Sequence, residues 1–340
     1  MSKDYARRVG LLVKYQKADI SEEIAKFLVG FSYTDEASDK ADELTITLED
    51  REGLWHGDWL PQKGDKIHAS FYVMNWSGKE DKQMLPCGTF TLDEFSLSGP
   101  PDEMTLKGQS VPVTSSIKTP RTRAWKKVKL SQIAMDMAAN SGLKVLFECP
   151  SDPSYEHVDQ IKESDVSFLC KLCKKEGISL KVTDSQMVLF DEATYEAKST
   201  ELMLIHGTSN ILGYNFDWTT DDTAYGSCRV RYKDPKTGNM IEYHYKPRNS
   251  NGGPVLEINE MVRNEEEARQ LAMKRLRAKN KMETKCTFSI MGDIRFLAGI
   301  TVTVKGFSRF DGKYIIQKAS HKVTDGYVTN LELTKCLEGY

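Results

Sequence analysis

Cys170 and Cys173 stand in ESDVSFLCKLCKKEGISLKV, residues 163 to 182, and a C-x-x-C can do two kinds of chemistry. It can supply half of a tetrahedral zinc clamp, or it can cycle between dithiol and disulfide. The clamp needs two more ligands, and the nearest candidates, Cys149 and His157, sit at a spacing that matches no zinc pattern. A redox pair normally opens a helix after a strand, where the dipole lowers the thiolate pKa, whereas this pair lies a turn or more inside. Val166, Leu169, Cys170 and Cys173 recur at i, i+3, i+4, i+7. That stripe predicts that both thiols are small apolar core residues.

Other reactive side chains are dispersed. His56, His68, His157, His206, His244 and His321 lie far apart in the chain. Asp221 with Asp222 reads as a turn, and Glu265, Glu266 and Glu267 as the first turn of a helix. H-E-x-x-H, G-x-S-x-G, G-x-x-x-x-G-K-[ST] and G-x-G-x-x-G are all missing. No catalytic, cofactor-binding or metal-binding residue is assigned, no cofactor is expected, and the chain is not read as an enzyme. One segment invites a different chemistry. EDREGLWHGDWLPQKGD, residues 49 to 65, puts Trp55 and Trp59 in a glycine-rich, charged loop. The indoles either cap the open end of a β-rich unit or anchor a protein interface, where tryptophan is enriched. KPRNSNGGPVLEIN, residues 246 to 259, reads as a polar, glycine-rich excursion that is either mobile or ordered by a partner.

The elements that must position these residues fall into three stretches. Residues 1–112 read as strands, with alternation in LTITLED, DKIHASFYV and GTFTLDEFSLSG. Residues 113–195 shift to helix, glycine, strand. Residues 196–340 return to strands, interrupted by the helix NEEEARQLAMKRLRAKNK, whose acidic start and basic end suit the helix dipole.

Two internal repeats organise the chain. SQIAMDMAANSGLKVLF (131 to 147) aligns without gaps on VSFLCKLCKKEGISLKV (166 to 182), bringing Gly142 onto Gly177 and Ile133, Ala134, Met137 and Ala138 onto Phe168, Leu169, Leu172 and Cys173. The second repeat links the ends. VGFSYTD (29 to 35) parallels LGYNFDW (212 to 218), LTITLED (44 to 50) parallels CRVRYKD (228 to 234), KGDKIHASF (63 to 71) parallels AGITVTVKG (298 to 306), and CGTFTLDEFS (87 to 96) parallels DGKYIIQKAS (311 to 320). This alignment puts His321 at the position of Leu97, in an expected half-buried environment. The fold class is therefore α+β and β-rich: two similar small β-barrel or sandwich domains with a helix-strand repeat domain inserted between them.

Composition narrows the partners. The 47 basic and 49 acidic residues nearly cancel, so no strong field of either sign would hold nucleic acid or an anionic membrane. No apolar run approaches the roughly eighteen residues of a membrane span, and MSKDYARRVG lacks the apolar block of a signal peptide, so direct membrane insertion is not expected. Seven cysteines in a chain of this length read as reduced thiols, consistent with folding in a cytoplasm.

The chain resembles the phage late control D proteins, baseplate hub proteins of contractile tails that are related to the hub part of type VI secretion spike proteins. The resemblance rests on RRVGLLVKYQKADISEEIAKFLVGFSYTDEASDKADELTITLEDREGLWHGDWLPQKGD, on KLSQIAMDMAANSGLKVLF followed by QIKESDVSFLCKLCKKEGISLKV, and on AGITVTVKGFSRFDGKYIIQKASHKVTDGYVTNLEL. It implies tail-tube-like barrels in a homotrimer that adapts a sixfold tail tube to a threefold cell-puncturing spike, with tape-measure and baseplate wedge proteins close by. The location implied is the tail baseplate of a virion or tail-like particle, whether phage, bacteriocin or another contractile injection system. The alternative function is a tail-associated cell-wall hydrolase or peptidase with a dispersed active site. A spike fused to this hub would need a long β-helical extension, which is not expected here.

Overall fold

The computed structural model describes residues 6–337 apart from 17, 77, 112–115, 201, 208–209, 236–237, 249 and 251. The boundary expected at 112 and 113 lies outside the described residues, as do Asn249 and Asn251 of the polar excursion. The chain is β-rich with a minority of helix, in line with the α+β reading. Among the described residues, no helix is long and apolar enough to cross a membrane.

Period-two alternation builds the main sheet. In Glu43–Glu49 the buried residues are Leu44, Ile46 and Leu48; in Lys66–Met74 they are Ile67, Ala69, Phe71 and Val73. Among the described residues, thirteen strands join in one hydrogen-bonded sheet. Five strands of the N-terminal part follow the order Leu28–Glu36, Glu43–Glu49, Glu103–Gln109, Lys82–Ser98, Lys66–Met74. Five of the C-terminal part follow the matching order Ile211–Trp218, Thr284–Met291, Tyr327–Lys335, Gly312–Val323, Thr301–Lys305.

The two sets agree residue by residue. Phe90 lies opposite Ile67 and Gly88 opposite Ala69; in the second set Tyr314 lies opposite Val302 and Gly312 opposite Val304. Both also carry the same irregularities. The register shifts between Leu28 and Gly30 and again between Ile211 and Gly213; it shifts between Leu92 and Glu94 and again between Ile316 and Lys318. A bulge inserts one unpaired residue and bends its strand, so two shared bulges mean a shared curvature. Phe90, Leu92, Tyr314 and Ile316 are all buried, as the repeat requires.

The duplication departs from the sequence alignment at one match and at the sixth strand. CRVRYKD is not the counterpart of LTITLED. Ser227–Lys233 belongs to a separate three-stranded sheet with Met240–Tyr245 and Val255–Ile258, and the true counterpart of Glu43–Glu49 is Thr284–Met291. Alternation alone cannot separate two strands of one period, and an insertion had moved the right one downstream. Beyond the five matched strands, Arg8–Tyr15 pairs antiparallel with Lys66–Met74, whereas Leu202–Ile205 pairs parallel with Thr301–Lys305.

The inserted sheet is backed by the helix Glu265–Asn280. Asn264 caps it by accepting from Glu267 N at 2.8 Å, and the Glu267 carboxylate accepts from the N–H of Arg263, one residue before the cap, at 2.8 Å. Its buried Ala268, Leu271, Ala272 and Leu276 join Cys228 and Val230 in a core of their own.

The middle repeat is also present. Helices Leu130–Ala139 and Asp165–Lys175 begin at equivalent positions, each after a long strand, Pro120–Lys129 and Ser154–Ser164, and these two strands pair with each other. Gly142 and Gly177 both take positive φ, +68° and +65°, which lets Leu143 N reach Ala138 O at 3.0 Å and Ile178 N reach Cys173 O at 2.9 Å. Ile133, Ala134, Met137 and Ala138 from one helix and Phe168, Leu169, Leu172 and Cys173 from the other form the core between them.

Candidate protein interface

Cys173 is buried in that core, while Cys170 and Val166 are only partly buried at its margin and line a cavity of about 520 Å³. The buried stripe therefore runs through Phe168, Leu169, Leu172 and Cys173, one position off the expected Val166, Leu169, Cys170, Cys173. Burial pushes the Cys170 thiol up to about 11 and raises Cys173 further, with acidic Asp39 adding to both, so neither favours a thiolate. All seven cysteines are free thiols. Among the described residues, no group of three or more His, Cys, Asp or Glu side chains could hold a metal ion.

The histidines take separate partners. His157 bonds Asp159 at 2.9 Å, His244 bonds Ser227 at 2.9 Å, and His206 packs against Tyr214 and Phe307. His321 corrects the expectation of a half-buried site. It is fully buried, while Leu97 at the equivalent position is 50% exposed. Its ring stacks on Tyr33, with centroids 6.2 Å apart and planes at 11°, and its Nδ1 lies 2.7 Å from the Tyr327 hydroxyl. Burial lowers its pKa to about 4.

The cause of that difference is a junction. Lys318–Val323 pairs antiparallel with Phe31–Glu36, welding the second set of strands to the first, and His321 falls opposite Tyr33. Polar groups reinforce the weld. Asp35 accepts from Lys181 Nζ at 2.5 Å and from Ala298 N at 3.0 Å, so one carboxylate ties the middle repeat and the C-terminal strands to the N-terminal sheet. Lys181 also lies 3.2 Å from Asp42 Oδ1 and donates to Glu36 O at 2.9 Å. Burial raises the Asp42 carboxyl pKa even against the opposing Lys181. Burial would also neutralise Lys181, but Asp35 and Asp42 outweigh it and keep the ammonium charged. Sequence reading missed this cluster, because its members lie far apart in the chain and share no motif.

The tryptophan loop is built on Asp50. Its buried carboxylate accepts from Trp55 N at 2.9 Å and His56 N at 3.0 Å and lies 2.6 Å from His56 Nδ1. Burial works to raise the Asp50 pKa, and these bonds overcome it and hold it below the usual value. Trp55 is 5% exposed and packs into the N-terminal core; Trp59 is 44% exposed and meets Trp55 and Phe27 edge-on at 5.4 and 5.9 Å. Leu60 beside it is also exposed.

The chain is β-rich, with a doubled sheet whose two copies share their bulges and with exposed aromatic residues on the end strand Ile211–Trp218. Solved structures agree on the fold. The 43 kDa tail protein of prophage MuSo2 from Shewanella oneidensis aligns with a TM-score of 0.71 at 12% identity, covering 97% of this chain and 99% of that one. A component of the E. coli type VI secretion system aligns with a TM-score of 0.58 at 12% identity, over 98% and 78%. The chain belongs to the phage tail baseplate hub (GPD) family, which its residues 117–327 match. The probable baseplate hub protein of Escherichia phage 186 is 25% identical over 171 residues, 50% of this chain and 42% of that protein. The corresponding protein of Escherichia phage P2 is 30% identical over 167 residues, 48% and 40%. The matched region thus spans about two fifths of the length of these relatives.

Proposed function

We propose that the chain acts as a structural hub in a tail baseplate, forming a homotrimer that adapts a sixfold tail tube to a threefold spike. The observation that carries this reading is the duplicated sheet with its shared strand order, register and bulges. Two tube-like units per chain turn three chains into a ring of six similar units, which resolves a mismatch between threefold and sixfold symmetry. Residues 1–112 and 196–340 are the proposed tube-like domains, and 113–195 the domain set between them. The partners in this reading are tail tube, spike, tape-measure and wedge proteins, and the role requires no turnover. In the tryptophan loop, Trp59 with Leu60 is the face offered to a neighbouring baseplate protein, and Trp55 supports it from beneath. The test is a count of copies at the tip of the assembled particle. Three per tip supports the hub; six, or a variable number, removes it.

A further inference from the structure

The internal junction is a template for a contact that one chain leaves unmade. In the repeat, Lys318–Val323 corresponds to residues 94–99 and Phe31–Glu36 corresponds to residues 214–219. The first pair of segments is hydrogen-bonded together. Among the described residues, the second pair has no such partner. Ile211–Trp218 ends the sheet, pairing only with Thr284–Met291, and Glu94–Ser98 pairs only with Glu103–Gln109 because Lys66–Met74 takes the earlier part of that strand.

The side chains at these bare edges carry the same alternation as the junction. Phe31, Tyr33 and Asp35 are buried in the junction; their counterparts Tyr214, Phe216 and Trp218 are aromatic, with Tyr214 51% and Trp218 47% exposed. Ala319 and His321 are buried there; their counterparts are Phe95 and the half-exposed Leu97. Even the local ring contacts repeat. Tyr33 meets Phe90 edge-on at 6.1 Å, and Phe216 meets Tyr314 edge-on at 6.5 Å. On the other face, Thr34 and Ser320 hydroxyls lie 3.2 Å apart across the junction, and their counterparts Asp217 and Ser96 are again a matched acceptor and donor. Long bare edges with apolar alternation are a hazard unless covered, and strand addition covers them with backbone bonds and side-chain pockets together.

We propose that the bare edges meet between two copies of this chain, residues 94–99 of one pairing antiparallel with residues 214–219 of the next in the register of the internal junction. Glu94 then faces Thr219, Phe95 faces Trp218, Ser96 faces Asp217, Leu97 faces Phe216, Ser98 faces Asn215 and Gly99 faces Tyr214. The proposal rests on the trimeric hub reading and adds to it the place and register of the contact. Internal and intermolecular junctions then alternate around the ring.

Paired cysteines test it. Directly opposed Cα atoms in an antiparallel pair are about 4.5 to 5.5 Å apart, within disulfide range, whereas diagonal neighbours at about 7 to 8 Å are not. A chain carrying Leu97→Cys and Phe216→Cys, oxidised as the trimer or in the particle, is expected to give interchain-linked dimers and trimers on a non-reducing gel. Leu97→Cys with Trp218→Cys, and the parent chain with its seven native cysteines, are expected to give few. A trimer that fails to link at 97 and 216, or that links equally at 97 and 218, overturns the register and leaves the hub reading standing. A chain that is monomeric in solution and present in other than three copies per tip overturns both. Leu97→Lys guards against misfolding of the cysteine variants, because it changes one exposed side chain. It should leave unfolding of the monomer unchanged and abolish trimer, and an intact Leu97→Lys trimer counts against the proposed edge.

Discussion

His321 shows how one position can serve two environments. In the first copy the residue at its place, Leu97, stands at a bare edge; in the second the junction closes over the ring and leaves it neutral. A base whose folded pKa is depressed stabilises the fold fully above its unfolded value and loses that stability as pH falls through the folded value. The window here runs from about 6.5 down to about 4, and the depression corresponds to roughly 3 kcal/mol. Denaturant titrations of wild type and His321→Leu should show the wild type losing about that much relative to the variant between pH 7 and pH 4. A pH-independent difference would mean that the imidazole is not held neutral. Cys173 makes a simpler case. Cys173→Ala trims a small buried group and is expected to cost on the order of 1 kcal/mol, with metal content unchanged. Stoichiometric zinc in the wild-type protein, by elemental analysis, would overturn the packing role.

At the level of elements, the small sheet and its helix are an insertion in the second copy. In the first copy Leu28–Glu36 passes to Glu43–Glu49 through a short turn. In the second, the corresponding strands Ile211–Trp218 and Thr284–Met291 pair directly, and Thr219 N donates to Glu283 O at 3.0 Å, so the ends of the insertion are already adjacent. Replacing residues 220–282 by a short turn therefore closes a small gap, and the entropy of that closure is low. The helix does make outside contacts, Lys274 to Glu176 at 3.0 Å and Arg277 to Glu196 at 2.6 Å, so the shortened chain should unfold at lower denaturant concentration. It should still unfold cooperatively with strong β-sheet circular dichroism. Loss of the cooperative transition would mean that the insertion is integral to the sheet.

For the whole molecule, Cys173 serves packing, Asp50 holds the tryptophan loop, and Asp35 anchors the weld. Under the proposed hub role, purified protein is expected not to clear a peptidoglycan suspension at any pH from 5 to 8. Clearing that survives removal of contaminating lysozyme-like activity would favour the hydrolase reading instead. Loss of clearing in a point variant would then locate the site. The weld itself has a structural use. An ammonium shared by two buried carboxylates adds little net stability, but it penalises any packing of the three parts that separates Lys181 from Asp35 and Asp42.

Local signals carried far in this chain. Alternation located Glu43–Glu49, Lys66–Met74 and the strand Lys82–Ser98 of the first copy, and helix spacing with Gly142 and Gly177 located the middle repeat, because side-chain period and positive φ are properties of a few consecutive residues. Three of the four long-range matches were legible for the same reason, each being held by a bulge or glycine at a fixed place. The fourth was not, since Ser227–Lys233 and Thr284–Met291 share one period and differ only in which neighbours they find. Trp55 and Trp59 stood out as a pair, but their unequal burial depends on Phe27, which approaches through the fold. His321 and the Asp35, Asp42 and Lys181 cluster carry no local signature at all. Their burial, charge and partners follow from the pairing of Lys318–Val323 with Phe31–Glu36 and from the docking of the middle repeat, contacts between residues far apart in the chain that no window of sequence contains.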